Sequence, residues 1–598
     1  MNHWHSPAST SLRAALLATV AGASLACASA PRRFPLRDPV WQDGDTAPVS
    51  VACRPDPDPP ADDPAHRLCL PELYESPLAW DVADKTVFRP LSRALAVDVG
   101  GEAVNVNSVD EVPDSSWFSN RLGKNTLSAD EVERGGCDGA VLDPAAPDSS
   151  WVIDQGKTNG STPGFRVRVA GKGKFVLKGD DLSQPERASA AQTIGARFYH
   201  AFGFWAPCDS VVYFRKELLT LKPGLTSTDN TGVTVPFDQK ALDDVLGKTA
   251  RRGDLYRMVA SRWLPGRAIG PFKYEETRDD DPNDVVPHED RRELRGGRLL
   301  AAWLNHFDAR EQNSMAVWLS VNPRDPESSP GHVRHFYLDT SDCFGSPWAF
   351  DEVTRRLGHS YYLDFADVLQ DTVTLGLPER PWDRTGVTKG AELFGYFHAR
   401  DFDAEKWKPG YPNPAFSRMT ERDGAWAARI VAAFGKEHVE AAIRAGDLGD
   451  PAHRSFLFEQ LWARRRALLS RYLSRLSPLA NVQVQSGNRL CSVDLAKKND
   501  LFDASRIRYS ANMYTGRDLA ARAPAPVVAA ADGSVCVTLA HSRPDAGEAD
   551  DSPERYAIVD VSNGASKGPL RAHLYDLGPR RGFRLVGVER PEGDAPPR

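Results

Sequence analysis

Asn305-His306-Phe307-Asp308-Ala309-Arg310-Glu311-Gln312-Asn313 is followed, after an apolar run, by Tyr337-Leu338-Asp339. An Asp, an Asn five residues on and a second Asp at the end of an apolar strand supply three oxygen-bearing side chains. In phosphoryl transfer such groups have separate tasks. One carboxylate, Asp308, orients an attacking hydroxyl, while an amide oxygen and a second carboxylate, Asn313 and Asp339, hold Mg²⁺ on the phosphates. That chemistry also requires a fixed positive charge upstream.

Working outward, the Gly-spaced run Gly156 to Gly164 leads into Phe165-Arg166-Val167-Arg168-Val169, which alternates like a strand. Gly171-Lys172-Gly173 turns the chain, and Lys174 to Lys178 returns as the second strand of a hairpin. Lys178 ends that strand as the candidate phosphate-binding and catalytic lysine. Gly160 and Gly164 would let backbone N–H groups approach a phosphate closely. Glu186 to Phe202 reads as a helix, with Ala190, Ile194, Phe198 and Ala201 on one face and Gly203 at its end. Glu186 either pairs with Lys178 or stands in the first turn because the helix dipole favours an acid there. Asp209–Phe214 and Tyr256–Leu264 read as buried strands, and Glu289–Leu304 as a helix that delivers His306.

After Asp339 the pattern turns helical. Thr420 opens a helix with Ala427, Ile430, Val431 and Phe434 inward. Ser455–Leu476 is a long helix burying Leu457, Leu461, Leu468 and Tyr472, with Arg464-Arg465-Arg466 read as a solvated face. From about Asn481, short alternating segments such as Tyr556–Val561 and Phe583–Val588 predict a small β-sandwich. The fold class is α+β, with a β-rich region at 80–264, a helical region at 265–480 and a β-rich C-terminal domain at 481–598.

The chain has 598 residues, 41% hydrophobic and 26% charged, as in a globular protein of two or three domains. A net charge of -7 gives no reason to expect nucleic-acid binding. Arg13 precedes an apolar stretch, Ala14 to Ala26, too short to span a bilayer. Residues 1–27 read as an export signal. Ser24-Leu25-Ala26-Cys27 resembles a lipobox, so the protein is either lipid-anchored at Cys27 in the cell envelope, at the outer membrane or in the periplasm, or cleaved near Ala30. Residues 28–79, rich in Pro and Asp, read as a flexible tether, or in their second half as an irregular arm packed on the body. Seven further cysteines lack any CxxC, which speaks against zinc. Cys53–Cys69 and Cys491–Cys536 are plausible disulfides, and the odd count leaves at least one thiol over.

The loop and strand are similar to the HipA-like, CotH-like and phosphatidylinositol-kinase branches of the kinase superfamily, which also use an Asp-x4-Asn loop, an apolar strand and an Asp. Asp280 to Gly296, followed by Ala301-Ala302-Trp303-Leu304-Asn305-His306, resembles a family of uncharacterised exported bacterial proteins across about residues 80 to 590. The resemblance implies a two-lobed kinase-like core and an extracytoplasmic phosphotransferase using Mg²⁺ and ATP or another phosphoryl donor on an unknown acceptor. Two departures stand out. The relatives' Asp-Phe-Gly-Ser is Asp339-Thr340-Ser341-Asp342 here, and Gln192 stands where they carry a Glu. A catalytically inactive binding or scaffold protein is therefore the second reading. A metal-dependent hydrolase built on His306, Asp308, His332, His335, Asp339 and Asp342 is the third. Glycan binding by the C-terminal β-domain also stays open.

Overall fold

Phe165, Val167 and Val169 are buried while Arg168 is exposed, and the same period of two buries Phe175 and Leu177 on the neighbouring strand. These strands belong to a mixed α+β architecture of several sheets and many helices. The computed structural model describes residues 32–593, except 76–77, 96–99, 140, 147–149, 158–161, 163, 229–232 and 346–350. The leader, Cys27 and Gly160 lie outside the described residues.

In chain order, the first sheet contains β1 (Trp151–Lys157), β2 (Gly164–Val169) and β3 (Gly173–Gly179). Helix α1 (Arg187–Phe202) follows, then β4 (Asp209–Phe214), β5 (Leu219–Leu221), β6 (Arg251–Arg252) and β7 (Leu255–Arg262). β1, β2, β3, β7 and β4 pair antiparallel in that order, and β5 adds to β1 in parallel. One face packs on Trp151, Ile153, Phe214, Phe237, Leu242 and Leu246. Chain then passes through Trp263 and Leu264 to β8 (Arg267–Ala268), α2 (Arg292–Leu304), β9 (Ser314–Ser320) and β10 (Gly331–Tyr337). β8, β9 and β10 form a second, three-stranded sheet.

α3 (Glu421–Ala433) and α5 (Pro451–Tyr472) pack on α2, and α4 (Lys436–Ala445) packs on α1 and α5. Gly296 lets α2 approach α3 closely: a Cβ there would lie 2.9 Å from the Trp426 ring. α1 is buried along nearly its whole length between the first sheet and these helices, with Ile194 and Phe198 in the same core as Trp303 and Val431.

The C-terminal region has two antiparallel sheets. One contains β11 (Leu479–Gln485), β12 (Arg489–Asp494), β15 (Val527–Ala529) and β16 (Ser534–Thr538); the other contains β13 (Ser510–Thr515), β14 (Ala521–Pro524), β17 (Tyr556–Ser562), β18 (Leu570–Asp576) and β19 (Phe583–Glu589). Leu490, Val535 and Val537 of the first share a core with Met513, Val559, Ala572 and Leu574 of the second. Asp110 ties this region to the body. Its carboxylate meets Arg292 of α2 and Arg429 of α3 at 2.5 and 3.4 Å, and also pairs with Arg590 just after β19.

Three expectations change. Residues 32–75 are not a tether. Phe34 is buried among Tyr514, Tyr556 and Tyr575, and Leu68 and Leu70 enter the main core. Cys53–Cys69 closes the short ladder between Arg54–Pro55 and Arg67–Leu68. A few anchoring side chains at intervals hold a segment whose composition alone would leave it unfolded. Cys491–Cys536 also forms, and Cys137–Cys208 is a third disulfide that the sequence did not suggest; Cys343 is a buried free thiol. Among the described residues no helix is long and apolar enough to cross a membrane.

Arg464 and Arg465 are buried, not solvated. Arg464 donates to the carbonyls of Ala302 and Trp303, and Arg465 to those of Val431 and Ala432. Each guanidinium thus satisfies carbonyls left over at the end of a helix, α2 and α3 respectively. Arg466 remains exposed. Arg464→Ala therefore removes the donor to the buried Trp303 and His398 carbonyls and opens a cavity, and lowers unfolding stability by about 3 kcal/mol. Arg466→Ala changes it by less than about 0.5 kcal/mol. Guanidinium unfolding of both variants tests the difference.

Candidate functional site

β3 presents Phe175 and Leu177 to the core, so Val176 and Lys178 face the other way. On that side lies a cleft of about 450 Å³. Its walls include Val176, Pro207 and Leu264 from the first sheet and its exit, and Met315 and Val317 from β9. Lys178, Asn313 and Asp339 line it as well. A volume of this size with apolar walls and few polar groups suits a small organic ligand.

The loop after α2 is set by Asn305, which ends the helix in the left-handed conformation (φ 53°) and accepts a 2.8 Å hydrogen bond from Trp407 Nε1. Asp308 follows three residues on. Asn313 Nδ2 donates to the Asp308 backbone carbonyl at 2.7 Å and to Asp308 Oδ2 at 2.9 Å. The Asn313 carbonyl accepts from Leu338 N at 2.9 Å, which lays the end of β10 against the loop. Lys178 Nζ donates to Asp339 Oδ2 at 2.8 Å, and Asp339 Oδ1 accepts from Ser341 Oγ at 2.6 Å. Lys178, Asn313 and Asp339 thus stand around one end of the cleft, and Asp308 lies behind Asn313, to which it is hydrogen-bonded.

Electrostatics divides the carboxylates into two kinds. Burial alone would raise the Asp339 carboxyl, but Lys178 and Ser341 hold it well below the usual range. Burial opposes the Lys178 charge, and Asp339 overcomes that and keeps the amine above its ordinary value. Asp308 is pushed up to about 7 by burial and the nearby Asp342, against the pull of Arg310, whose Nε is 3.1 Å from Oδ1. Asp342 is raised to about 7 by burial and by Asp339, although it accepts from the Asp308 backbone N–H at 2.9 Å. A carboxyl that changes charge near neutrality can accept a proton from a hydroxyl under ordinary conditions. His306 is not such a base: burial lowers it to about 4, and its Nδ1 is 2.6 Å from Tyr199 Oη.

Two expected site residues have other roles. Glu186, at the start of α1, pairs with Arg252 at 2.7 Å and accepts from Gly449 N at 2.8 Å. Its left-handed backbone (φ 71°) and that arginine fix it there, so it does not clamp Lys178. Gly164 is not in a loop but in β2, directly opposite Lys178. A Cβ there would lie 2.0 Å from the Leu177 carbonyl, so strand packing itself requires the glycine.

Lys157 is a site residue the sequence reading missed. Trp151 and Ile153 of β1 face the core, and a period of two would send Lys157 there too. A bulge between Ile153 and Gln155 inserts one extra residue and reverses the faces. Lys157 then lies across Gly164 from Lys178 in one cross-strand row, lining the cleft. Burial, with Lys178 close by, lowers its amine to about 8. The signal in the sequence was Gln155, polar at the position that alternation from Trp151 and Ile153 would bury.

Gln192 ties α1 to the end of β10. Its amide nitrogen donates to Asp209 and, at 2.7 Å, to the Leu338 carbonyl; its oxygen accepts from Thr340 N at 3.1 Å. Of the histidines considered for a metal, His335 stacks on Trp117 at 3.4 Å and is 3.3 Å from Ser116 Oγ. Among the described residues no cluster of three or more His, Cys, Asp or Glu is arranged to hold a metal ion. Comparison with protein-family models, with curated proteins and with solved structures gives no match in any of the three.

Two predictions follow from this geometry. Gln192→Glu sets a second carboxylate against Asp209, which burial already raises to about 6, and against the Leu338 carbonyl. It costs about 3 kcal/mol, read as a lowered melting midpoint. Asp308 and Asp342 hold their protons more tightly folded than unfolded. The stability they contribute is complete below the ordinary carboxylate value of about 4 and is lost as pH rises through about 7. Asp339 has the opposite sign, and its contribution is lost on acidification below that ordinary value. Stability therefore falls between pH 5 and 8, and Asp342→Asn recovers on the order of 1 kcal/mol at pH 8. Unfolding midpoints across that range measure it; a fall of equal size in wild type and variant contradicts the assignment.

Proposed function

We propose that this protein is an extracytoplasmic kinase-like phosphotransferase that uses a Mg²⁺-bound nucleotide, or another phosphoryl donor, on an acceptor not yet identified. The single observation that carries the reading is Lys178 Nζ, 2.8 Å from Asp339 Oδ2, at the end of a 450 Å³ cleft. The order of elements supports it: a strand hairpin through Lys178, a helix, strands, a linker, a helix, the Asp308–Asn313 loop, two strands and Asp339, then helices. That is the order of the two-lobed kinase fold, with 80–264 as the β-rich lobe and 265–480 as the helical lobe. The paired C-terminal sheets form a β-sandwich-like domain after it. The similarity of loop and strand to HipA-like, CotH-like and phosphatidylinositol-kinase proteins points the same way.

Asn313 Oδ1 and the Asp339 carboxylate are hard oxygen donors suited to Mg²⁺, with phosphate oxygens and water completing its shell. Bound Mg²⁺ would supply charge neutralisation on the phosphates. Lys178 releases Asp339 and takes a phosphate oxygen instead. Lys157, two strands away, adds a second positive charge on the same face. Asp308, aligned by Asn313, orients the acceptor hydroxyl and accepts its proton. Apolar walls from Val176, Leu264, Met315 and Val317 hold the base of the donor. The leader supports a place in the cell envelope, with a lipid anchor at Cys27 or with cleavage near Ala30.

A non-catalytic binding role is the second reading, and one observation favours it: Gln192, neutral, is bonded to Asp209 and Leu338 instead of anchoring Lys178.

A ligand bound only by the folded state raises the melting midpoint, by about 2.7 kcal/mol of stability at a hundredfold excess over its dissociation constant. Mg²⁺-ATP is expected to raise the midpoint of the wild type and of Asp308→Asn and Glu186→Ala, but not of Lys178→Ala or Asp339→Ala. No rise in the wild type at millimolar Mg²⁺-ATP overturns nucleotide use.

A further inference from the structure

A second cavity, of about 990 Å³, lies away from the catalytic cleft, where the N-terminal arm, the helices and the C-terminal sheets meet. Trp41 comes from the arm, Lys124 and Asn125 from the loop before residue 128, Lys436 from the start of α4, Trp462 from α5, and Asn481 to Gln483 and Lys498 from the C-terminal region. None of these residues belongs to the site described above.

Its charge is out of keeping with the chain. A protein of net charge -7 lines this one cavity with eight Lys and Arg against three Asp and Glu. Much of that positive charge is uncompensated. Among the described residues Lys124, Lys436 and Lys498 make no ion pair with a carboxylate. Lys124 rests over the Trp41 ring, and Lys436 lies 5.8 Å from the centre of the Trp462 ring. Arg466 finds only the Asp500 carbonyl, at 3.1 Å. Deeper in, Arg121 and Arg465 are satisfied by carbonyls and an amide, not by acids. Burial lowers both to about 10, outweighing the weaker pull of Asp114 on Arg121 and of Glu437 on Arg465. Lysines lying on tryptophan faces have taken the weakest partner available, worth about 0.5–1 kcal/mol at an exposed site. A ligand anion would draw them off and free the Trp41 face, while Trp462 keeps Arg465 and Phe458 on its ring.

The remaining rim is amide-rich: Asn125, Asn481 and Gln483 are exposed at the surface of the same cavity. Amides, indoles and uncompensated ammonium groups together match sugar hydroxyls, sugar C–H faces and acidic substituents. We propose that this junction is a binding site for an acidic oligosaccharide, distinct from the catalytic cleft and independent of the phosphotransferase reading. The size suits several sugar rings, and the site is completed only when arm, helices and C-terminal sheets are all in place.

The test is calorimetric titration of the whole protein with four probes: tetrasaccharides of galacturonate and of neuraminate, neutral maltotetraose, and tripolyphosphate. At least one acidic tetrasaccharide is expected to bind at least tenfold more tightly than both maltotetraose and tripolyphosphate. Lys124→Ala with Lys436→Ala is expected to weaken it tenfold or more, while the melting midpoint stays unchanged because both side chains are exposed. Tripolyphosphate binding as tightly reduces the site to a simple anion site and overturns the proposal. Equal binding of maltotetraose, no binding of either acidic sugar, or full affinity in the double variant overturns it as well.

Discussion

The ion pair between Lys178 and Asp339 joins the two parts of the molecule that the cleft separates. One partner ends a strand of the first sheet and the other follows the last strand of the second. Both charges are largely withdrawn from water, with 17% and 30% of their side chains exposed. Such a pair stabilises little on balance, because desolvation offsets much of the attraction, but removing one partner leaves a costly unpaired charge. It is therefore better understood as a device for position than for stability. It holds a cation and a carboxylate facing one space, where a ligand carrying both phosphate and metal could replace each partner for the other.

Other constraints serve that geometry. The bulge in β1 brings Lys157 to the same face, and Gly164 lets the strands carrying the two lysines lie close. Gln192 fastens α1 to the end of β10 through two hydrogen bonds, and to Asp209 of β4 through a third, without adding charge, which leaves Lys178 to Asp339. Arg464 and Arg465 close the ends of the two helices that deliver and support the Asp308–Asn313 loop. Asp110, bonded to three arginines from three parts of the chain, fixes the C-terminal sheets to this frame.

Much of this was legible from local pattern. The hairpin ending at Lys178, helix 187–202, the strand from Asp209 and the long last helix with its buried Leu457, Leu461, Leu468 and Tyr472 all follow from periodicity. The proximity of Asp308 and Asn313 follows from their spacing. What was not legible depends on distant partners. Arg464 reads as solvated until the helix ends beneath it are known. Glu186 reads as a partner of Lys178 until Arg252 is seen beside it. Lys157 is hidden because one inserted residue reverses a strand's faces. The arm 32–75 looks unfoldable by composition, yet Phe34 is buried among tyrosines of the C-terminal sheets, and Leu68 and Leu70 enter the main core.

The account rests on the claim that Lys178 and Asp339 exchange one another for a phosphate and a metal ion. A crystal structure with Mg²⁺ and a non-hydrolysable ATP analogue tests this most directly. The account predicts that the 2.8 Å contact opens, with Lys178 on a phosphate oxygen and Asp339 and Asn313 on the metal. Nucleotide bound elsewhere with the pair still closed, or a cleft left empty at saturating analogue, would contradict it.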